Sequence, residues 1–240
     1  MSDQDLSNSF GNKEVGTLQR QKLIRNVFQR VAKRYDLMND IMSMGIHRLW
    51  KWRFTREIKT TPGYSIIDLA GGTGDIAQAL IRPGKTVCIV DPSLEMMNVA
   101  KDKLNESCCY VAADAQDLPF ATNSIDILAI AFGIRNVTDI NLALVEINRV
   151  LKPGGSFYCL EFSTPVFWLR PFYNAWSRIV IPRLGALVSK NPDAYHYLVE
   201  SIAKFPSQHE MLKIIQNAGF NNVSFSNLSL GIACIHRAKK

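Results

Sequence analysis

Eight residues, Asp68-Leu69-Ala70-Gly71-Gly72-Thr73-Gly74-Asp75, join a glycine turn to carboxylates. Glycines let the backbone turn tightly and let a ligand approach it closely, at the N-terminus of a helix where free N–H groups point outward. A dinucleotide fold spaces its glycines Gly-x-Gly-x-x-Gly so that a pyrophosphate can sit there. Here the spacing is Gly71-Gly72-Thr73-Gly74, and an acid, Asp75, follows. That acid repels a diphosphate and suits a ligand with a cationic centre. The sulfonium and ammonium of S-adenosylmethionine (SAM) meet the description. The rival reading is a plain turn between strand and helix.

Two more acids follow at telling distances. Asp91 ends an apolar run, 86–90, about 20 residues beyond the glycines. A carboxylate there accepts hydrogen bonds from both hydroxyls of a ribose. Asp114 comes just past a third apolar run, 109–112, where it would accept from an adenine amino group. Arg135 follows a fourth run, 125–132, at the carboxyl edge of a sheet, where ligand crevices lie.

These residues need a βαβ framework. The run at 64–67 breaks into the glycines and then into a helix from Ile76. Ser93 caps a helix with Met96, Met97 and Ala100 on one face, and Asp139 caps another. The unbroken Ile127-Leu128-Ala129-Ile130-Ala131 predicts a strand buried on both faces, as in a parallel sheet. Leu151-Lys152-Pro153-Gly154-Gly155 reads as a stop, with a fifth strand at 156–162. Strands at 223–228 and 232–237 have so short a link that they are predicted antiparallel neighbours. The expected fold is Rossmann-like α/β, a mostly parallel sheet behind an N-terminal helical cap. The expected organisation is a polar mobile arm over 1–17 and one domain over 18–240. That domain divides into a cap (18–60), a SAM-binding core (64–162), a substrate-side insertion (163–205) and a C-terminal helix with antiparallel strands (206–240).

Composition narrows the classes. The 240 residues are 47% hydrophobic, enough for one well-buried α/β domain. No window has the long apolar run of a membrane helix, and the acidic N-terminus lacks the features of a secretory signal. Five cysteines without Cys-x-x-Cys spacing read as reduced core or near-core thiols in a cytosol-like compartment, and no metal site is expected. The net charge is +7, and residues 1–60 hold twelve Lys or Arg against six Asp or Glu. Arg20, Lys22, Arg25, Arg48, Lys51, Arg53, Arg56 and Lys59 belong to that excess. It reads either as a field for anionic lipid or nucleic acid, or as an ordinary solvated face.

Longer strings carry a resemblance. Val27-Phe28-Gln29-Arg30-Val31-Ala32-Lys33-Arg34-Tyr35-Asp36-Leu37-Met38-Asn39-Asp40, Gly45-Ile46-His47-Arg48-Leu49-Trp50-Lys51, Phe132-Gly133-Ile134-Arg135-Asn136-Val137-Thr138-Asp139 and Asp193-Ala194-Tyr195-His196-Tyr197-Leu198 are similar to the UbiE-type C-methyltransferases of ubiquinone and menaquinone biosynthesis. The match runs from about residue 20 to the C-terminus. It implies a class I methyltransferase with seven strands, the last antiparallel. It implies SAM as methyl donor, with contacts at Thr73, Asp91, Asp114 and Ala115 beside the glycine turn at Gly71. The family serine before Phe-Gly is replaced here by Ala131, so that hydroxyl contact is not carried over. Losing one such hydrogen bond costs on the order of 1 kcal/mol.

The implied substrate is a demethylated quinol with a polyprenyl tail, methylated at a ring carbon. Such chemistry needs a phenolate stabilised beside the methyl donor and an acceptor for the ring proton. The resemblance points to Arg135 with an ordered water as base. Arginine itself is a poor base. It is therefore expected to stabilise the phenolate and lower the pKa of bound phenol or water, with Asn136 orienting that water. Alternatively Arg135 is structural, paired with Asp139 or Glu161. His47 and His196 are further candidates for the proton acceptor. Tyr35 either closes over the cofactor or packs on Leu37 and Phe28. The aromatic stretch 165–188 either walls an isoprenoid tail or packs in the core or at a homodimer contact. The protein is expected in the cytoplasm, at the inner face of the membrane, touching anionic lipid or a quinone-biosynthesis complex. A methyltransferase for another small hydrophobic molecule is the alternative. A nucleic-acid methyltransferase is disfavoured, because the fourth strand does not run into Asn/Asp-Pro-Pro-aromatic and no nucleic-acid module is attached.

Overall fold

The structure is a computed structural model that describes residues 9–10, 13–31, 35–180 and 192–240. Seven strands form one sheet: β1 (Ser65–Leu69), β2 (Thr86–Val90), β3 (Cys109–Val111), β4 (Ile125–Ala131), β5 (Leu151–Phe162), β6 (Asn221–Leu228) and β7 (Ala233–Lys239). Their order is β3-β2-β1-β4-β5-β7-β6. The first five strands are mutually parallel, and β7 runs antiparallel to both β5 and β6. The predicted architecture is therefore present, including the antiparallel last strand.

Alternation along the strands feeds two cores. Ile67, Leu69, Leu128 and Ile130 pack one face together with Leu144 and Ile147 of α6 (Ile140–Val150) and Met211 and Ile215 of α9 (Gln208–Asn217). Ile66, Ile127 and Ala129 pack the other with Phe54 and Ile58 of α3 (Ile46–Lys59), Leu80 of α4 (Asp75–Leu80) and Ala100 of α5 (Leu94–Leu104). The helix starts follow their side chains. Ser93 accepts from the Met96 N–H, Asp139 from Asn141 and Leu142, and Ser207 makes a reciprocal capping box with Glu210.

One boundary differs from expectation. The stop at 151–155 lies within the span of β5: Leu151 pairs with Ile125, and pairing shifts register before resuming at Ser156 with Ile127. A β-carbon on Gly155 would lie 2.7 Å from the Lys152 carbonyl oxygen, so this irregular start admits no larger residue. The helix α8 (Pro192–Lys204) starts on a proline. Proline suits a first helical position, where its missing N–H has no partner to lose.

The cap comprises α1 (Thr17–Val31), α2 (Tyr35–Ser43) and α3. Arg20, counted with the basic surface in the sequence, is buried instead and clamps α1 to the loop after β4. Its guanidinium donates to the carbonyl oxygens of Val137 at 3.0 Å and Arg135 at 3.2 Å. Within the expected arm, Ser9–Phe10 pairs with Lys13–Glu14, and the Phe10 ring stacks on Tyr197 at 4.6 Å. The aromatic stretch after β5 is helical, through α7 (Arg170–Ala175) and a π-turn at Trp176–Val180; its remainder, 181–191, lies outside the described residues. Of the five free cysteines, Cys88, Cys159 and Cys234 are buried, Cys108 is half-buried and Cys109 is exposed.

Candidate active site

The chain leaves β1 outward to β2 and β3 and returns on the other side as β4. The gap between β1 and β4 is the topological switch point, where such sheets hold ligands. Both strand ends are unusual there. Ala70 and Phe132 have φ of 51° and 55°, a left-handed conformation that costs a non-glycine residue on the order of 1–3 kcal/mol. A β-carbon on Gly133 would lie 2.6 Å from that of Ala70, so the two turns touch and tolerate no side chain between them.

One cleft opens at this point. It is lined by Gly71, Thr73, Asp91, Asp114 and Ala115, the sequence-predicted cofactor residues, and by Asp68, Asp75, Ala131 and Asn136. Each carboxylate has its own arrangement. Asp91 is buried, and its two oxygens accept one backbone N–H each, from Gly72 at 3.0 Å and Ser93 at 2.8 Å. One lone pair per oxygen is left, which matches a vicinal diol. Burial pushes Asp91 up to about 6. Asp114 accepts through Oδ1 from the backbone and side chain of Gln116. Thr73 donates its hydroxyl to Asp36 of α2 at 3.1 Å. The Tyr35 and His196 side chains lie outside the described residues.

The sequence argument placed the cation-facing acid at Asp75, which lines the cleft but is already paired with two lysines. The Asp75 carboxylate lies between Lys51 at 2.9 Å and Lys103 at 2.6 Å, and Lys103 also reaches Asp36. Its charge is spent on tying the cap to the glycine turn. Asp68, which lines the same cleft, has no cation beside it among the described residues. It is buried, its Oδ2 accepts from the Ala77 N–H at 2.9 Å, and its Oδ1 has no partner. Burial is the first cause that pushes it up to about 7, with Asp91 adding in the same direction. A β-carbon on Gly71 would fall 2.8 Å from Asp68 Oδ2, so only glycine leaves this carboxylate open. An orphaned buried carboxylate oxygen and a diol acceptor in one cleft fit SAM.

A second cavity, of about 320 Å³, lies on the other side of Phe132, which lines both. Its walls are aromatic and aliphatic: Trp50, Phe162, Leu169, Phe172, Tyr173 and Trp176, with Leu198 and Ile202 from α8. Trp50 is fixed by an N–H bond to Ser229 Oγ at 2.9 Å, and the Phe132 and Phe162 rings meet at 4.9 Å. Among the described residues, Arg135 is the only permanently charged side chain lining this cavity. Arg135 and Asn136 are thus neighbours in sequence that line different cavities.

Arg135 is 3% exposed and its partner Glu161 1%. Arg135 Nη1 donates to Glu161 Oε1 at 2.7 Å and to the Phe132 carbonyl at 2.6 Å, while Nε has no partner. Of the two structural partners considered from sequence, Glu161 is therefore the observed one; Asp139 caps α6. Burial pushes Glu161 above the usual carboxylate range against the opposing pull of Arg135. Asn136 accepts from the Tyr197 hydroxyl at 3.0 Å, which turns its amide toward the cleft side. His47 also lines the second cavity. Its Nε2 lies 2.8 Å from Asp40 Oδ1, and its buried Nδ1 has no partner. No cluster of potential metal ligands occurs among the described residues.

The fold and its cleft define a class I SAM-dependent methyltransferase. A solved structure of a SAM-dependent methyltransferase from Thermotoga maritima superposes with a TM-score of 0.65 at 20% identity, covering 90% of this chain and 99% of that one. The profile of the ubiE/COQ5 methyltransferase family matches residues 16–240, and the chain belongs to that family. A Rubrivivax gelatinosus protein named ubiquinone/menaquinone biosynthesis C-methyltransferase UbiE is 54% identical over 96% of this chain and 92% of its own length. A Rickettsia prowazekii protein of the same name is 47% identical over 97% and 98%. The protein is a methyltransferase that uses SAM as its methyl donor.

Sequence reasoning missed three features. The paired lysines on Asp75 come from two distant helices. The open oxygen of Asp68 depends on which strand-end acid is desolvated. Asp40 stands seven residues before His47, but a turn at Met44-Gly45 sets their contact, and helical spacing alone would not bring it about.

Proposed function

We propose that this enzyme methylates a ring carbon of a polyprenylated demethyl-benzoquinol or demethylmenaquinol. The observation that carries the reading is the pairing of a polar cleft with an apolar, aromatic cavity that contains one buried guanidinium. The names of the Rubrivivax and Rickettsia relatives agree with it. SAM, when bound, supplies an electrophilic methyl group. Asp91 would hold its ribose hydroxyls, Asp114 its adenine amino group and Asp68 its ammonium, with Gly71, Thr73 and Ala115 as the walls. Arg135, steadied by Glu161 and the Phe132 carbonyl, would offer its free Nε–H to the phenolate oxygen of the substrate. Phe132 would separate and align the two ligands.

The test is transfer of isotope-labelled methyl from SAM to short-chain demethyl-benzoquinol and demethylnaphthoquinol. Transfer to either ring supports the reading, and the ratio assigns the preferred class. Transfer to neither, with SAM bound normally, would favour a different small hydrophobic substrate.

A membrane role follows from the same cavity. Met44, Ile46 and Phe172 line it and are also exposed, Phe172 at 71%. Phe167, Trp168, Leu49 and Trp52 extend the exposed apolar surface, and Arg48, Arg53 and Arg56 are exposed on the same helix as Leu49 and Trp52. No helix among the described residues is long and apolar enough to cross a membrane. The proposed geometry is a mouth that rests on lipid while the tail remains partly in the bilayer. Basic side chains add about 1 kcal/mol each near an anionic surface, and salt screens that gain. The expected result in flotation is binding to anionic liposomes that weakens as salt rises to physiological levels. Equal binding to neutral vesicles would remove the charge argument.

A further inference from the structure

His47 is the second residue of α3 and lines the apolar cavity. Its imidazole is almost fully buried, yet one ring nitrogen has no hydrogen-bond partner. Leaving a buried polar atom unpaired costs about 1–3 kcal/mol, so a site that keeps one open is a site with a use for it. The other nitrogen fixes the chemistry. Nε2 meets Asp40 Oδ1 at 2.8 Å, and Arg48 holds the same carboxylate with two hydrogen bonds, at 2.7 and 2.5 Å. The Arg48 fork keeps Asp40 ionised, well below the usual carboxylate range. An ionised carboxylate only accepts, so Nε2 must carry the hydrogen. Nδ1 is then an unprotonated, unpartnered lone pair on a residue that lines the cavity with Trp50, Phe132, Arg135 and Tyr173.

We propose that His47, held in one tautomer by Asp40, is the general base that removes the phenol proton of the substrate. The assignment rests on the quinol reading above. Asp40 is a positioning residue, acting through His47. The proton moves from the phenol oxygen to Nδ1, leaving the electron pair on oxygen beside the Arg135 guanidinium. That pair, shared with the conjugated ring carbon, forms the new bond to the methyl group, while the donor's carbon–sulfur bond breaks toward sulfur. The ring carbon then loses its hydrogen to water as a proton, aromaticity returns, and Nδ1 gives its proton back to oxygen. One proton is released overall, and nothing is oxidised or reduced.

The surroundings suit a base. Burial is the first cause that lowers His47 from its usual value, Lys51 adds to the lowering, and Asp40 and Asp75 oppose it. Among the described residues, Arg135 and Tyr173 are the other ionisable groups that line the cavity, and burial pushes the Tyr173 hydroxyl up to about 12, so it stays protonated. His47 is therefore neutral and ready to accept at neutral pH.

The experiment uses the full chain with SAM and a short-chain demethyl quinol. His47→Gln retains an N–H donor for Asp40 and removes the Nδ1 lone pair. It is expected to lower kcat about a hundredfold with SAM affinity unchanged. The wild-type kcat should level off above a pKa under 6.5, whereas the variant's should keep rising with pH as hydroxide takes over. His47→Ala is expected to regain activity with added imidazole. Wild-type kcat and an unchanged pH profile in His47→Gln would overturn the proposal, as would a loss that no added base restores and that leaves the profile unmoved. Failure of the wild-type enzyme to methylate either quinol would overturn the substrate reading, and this assignment with it.

Discussion

Arg135→Ala is expected to lower turnover about a hundredfold and to cost about 3–5 kcal/mol of stability, with SAM affinity nearly intact. The two effects have separate causes. The catalytic one follows from an unpartnered Nε–H on a guanidinium that lines the apolar cavity, where a charge contact made only as the phenolate forms is worth about 3 kcal/mol. The structural one follows from Glu161, which is fully desolvated and accepts from Arg135 at 2.7 Å. Removing the guanidinium strands that carboxylate, and breaking one side of a buried pair is far worse than removing both charges. The pair variant Arg135→Met with Glu161→Gln separates the causes. Denaturant unfolding should recover to within about 1–2 kcal/mol of wild type, while turnover should stay low. If turnover returns together with stability, Arg135 is a structural residue, as the sequence already allowed.

How far the sequence reached depends on the kind of information each feature carries. The mostly parallel sheet and the antiparallel β7 were legible because unbroken apolar runs, and one very short link, leave few topologies open. Gly71, Asp91 and Asp114 were legible because a glycine turn and strand-end acids have local spacing. Pairings between distant segments were not. Arg20 counts as surface charge by composition, and only the packing of α1 on the loop after β4 shows it buried against two carbonyls. Asp75 looks like a ligand for a cation until Lys51 and Lys103 arrive from α3 and α5. The bulged start of β5 reads as a stop, because Pro153-Gly154-Gly155 obeys the local rule for turns while its pairing with β4 is set from far away.

Asp68→Asn is expected to stabilise the SAM-free protein above neutral pH and to weaken SAM binding by ten- to a hundredfold. Asp68 rises from 3.8 to about 7 because burial disfavours its charge and only one N–H donates to it. Between those two values the folded protein holds a proton that the unfolded chain has released. The unfolded state then binds fewer protons, so stability falls as pH rises through that window. The full loss above pH 7 is on the order of 4 kcal/mol at 1.36 kcal/mol per unit. Asparagine has no proton to lose, and its carbonyl oxygen can still accept from Ala77. The variant should gain little below pH 4 and several degrees of Tm at pH 8, given about 2–4 °C per kcal/mol for a chain of this size. Binding should move the other way. A ligand ammonium facing the open Oδ1 would make a charge-assisted bond worth about 1.5–3 kcal/mol, which the amide cannot match. Wild-type affinity for SAM should therefore climb with pH up to about 7, as the carboxylate ionises, while the variant's stays flat and low. Calorimetry of both proteins between pH 5 and 8 reads both effects. Parallel affinity curves, or an unshifted Tm at pH 8, would mean that Asp68 does not face the cation. The expected trade arises because the same missing hydrogen bond that weakens the empty fold is the one the ligand completes.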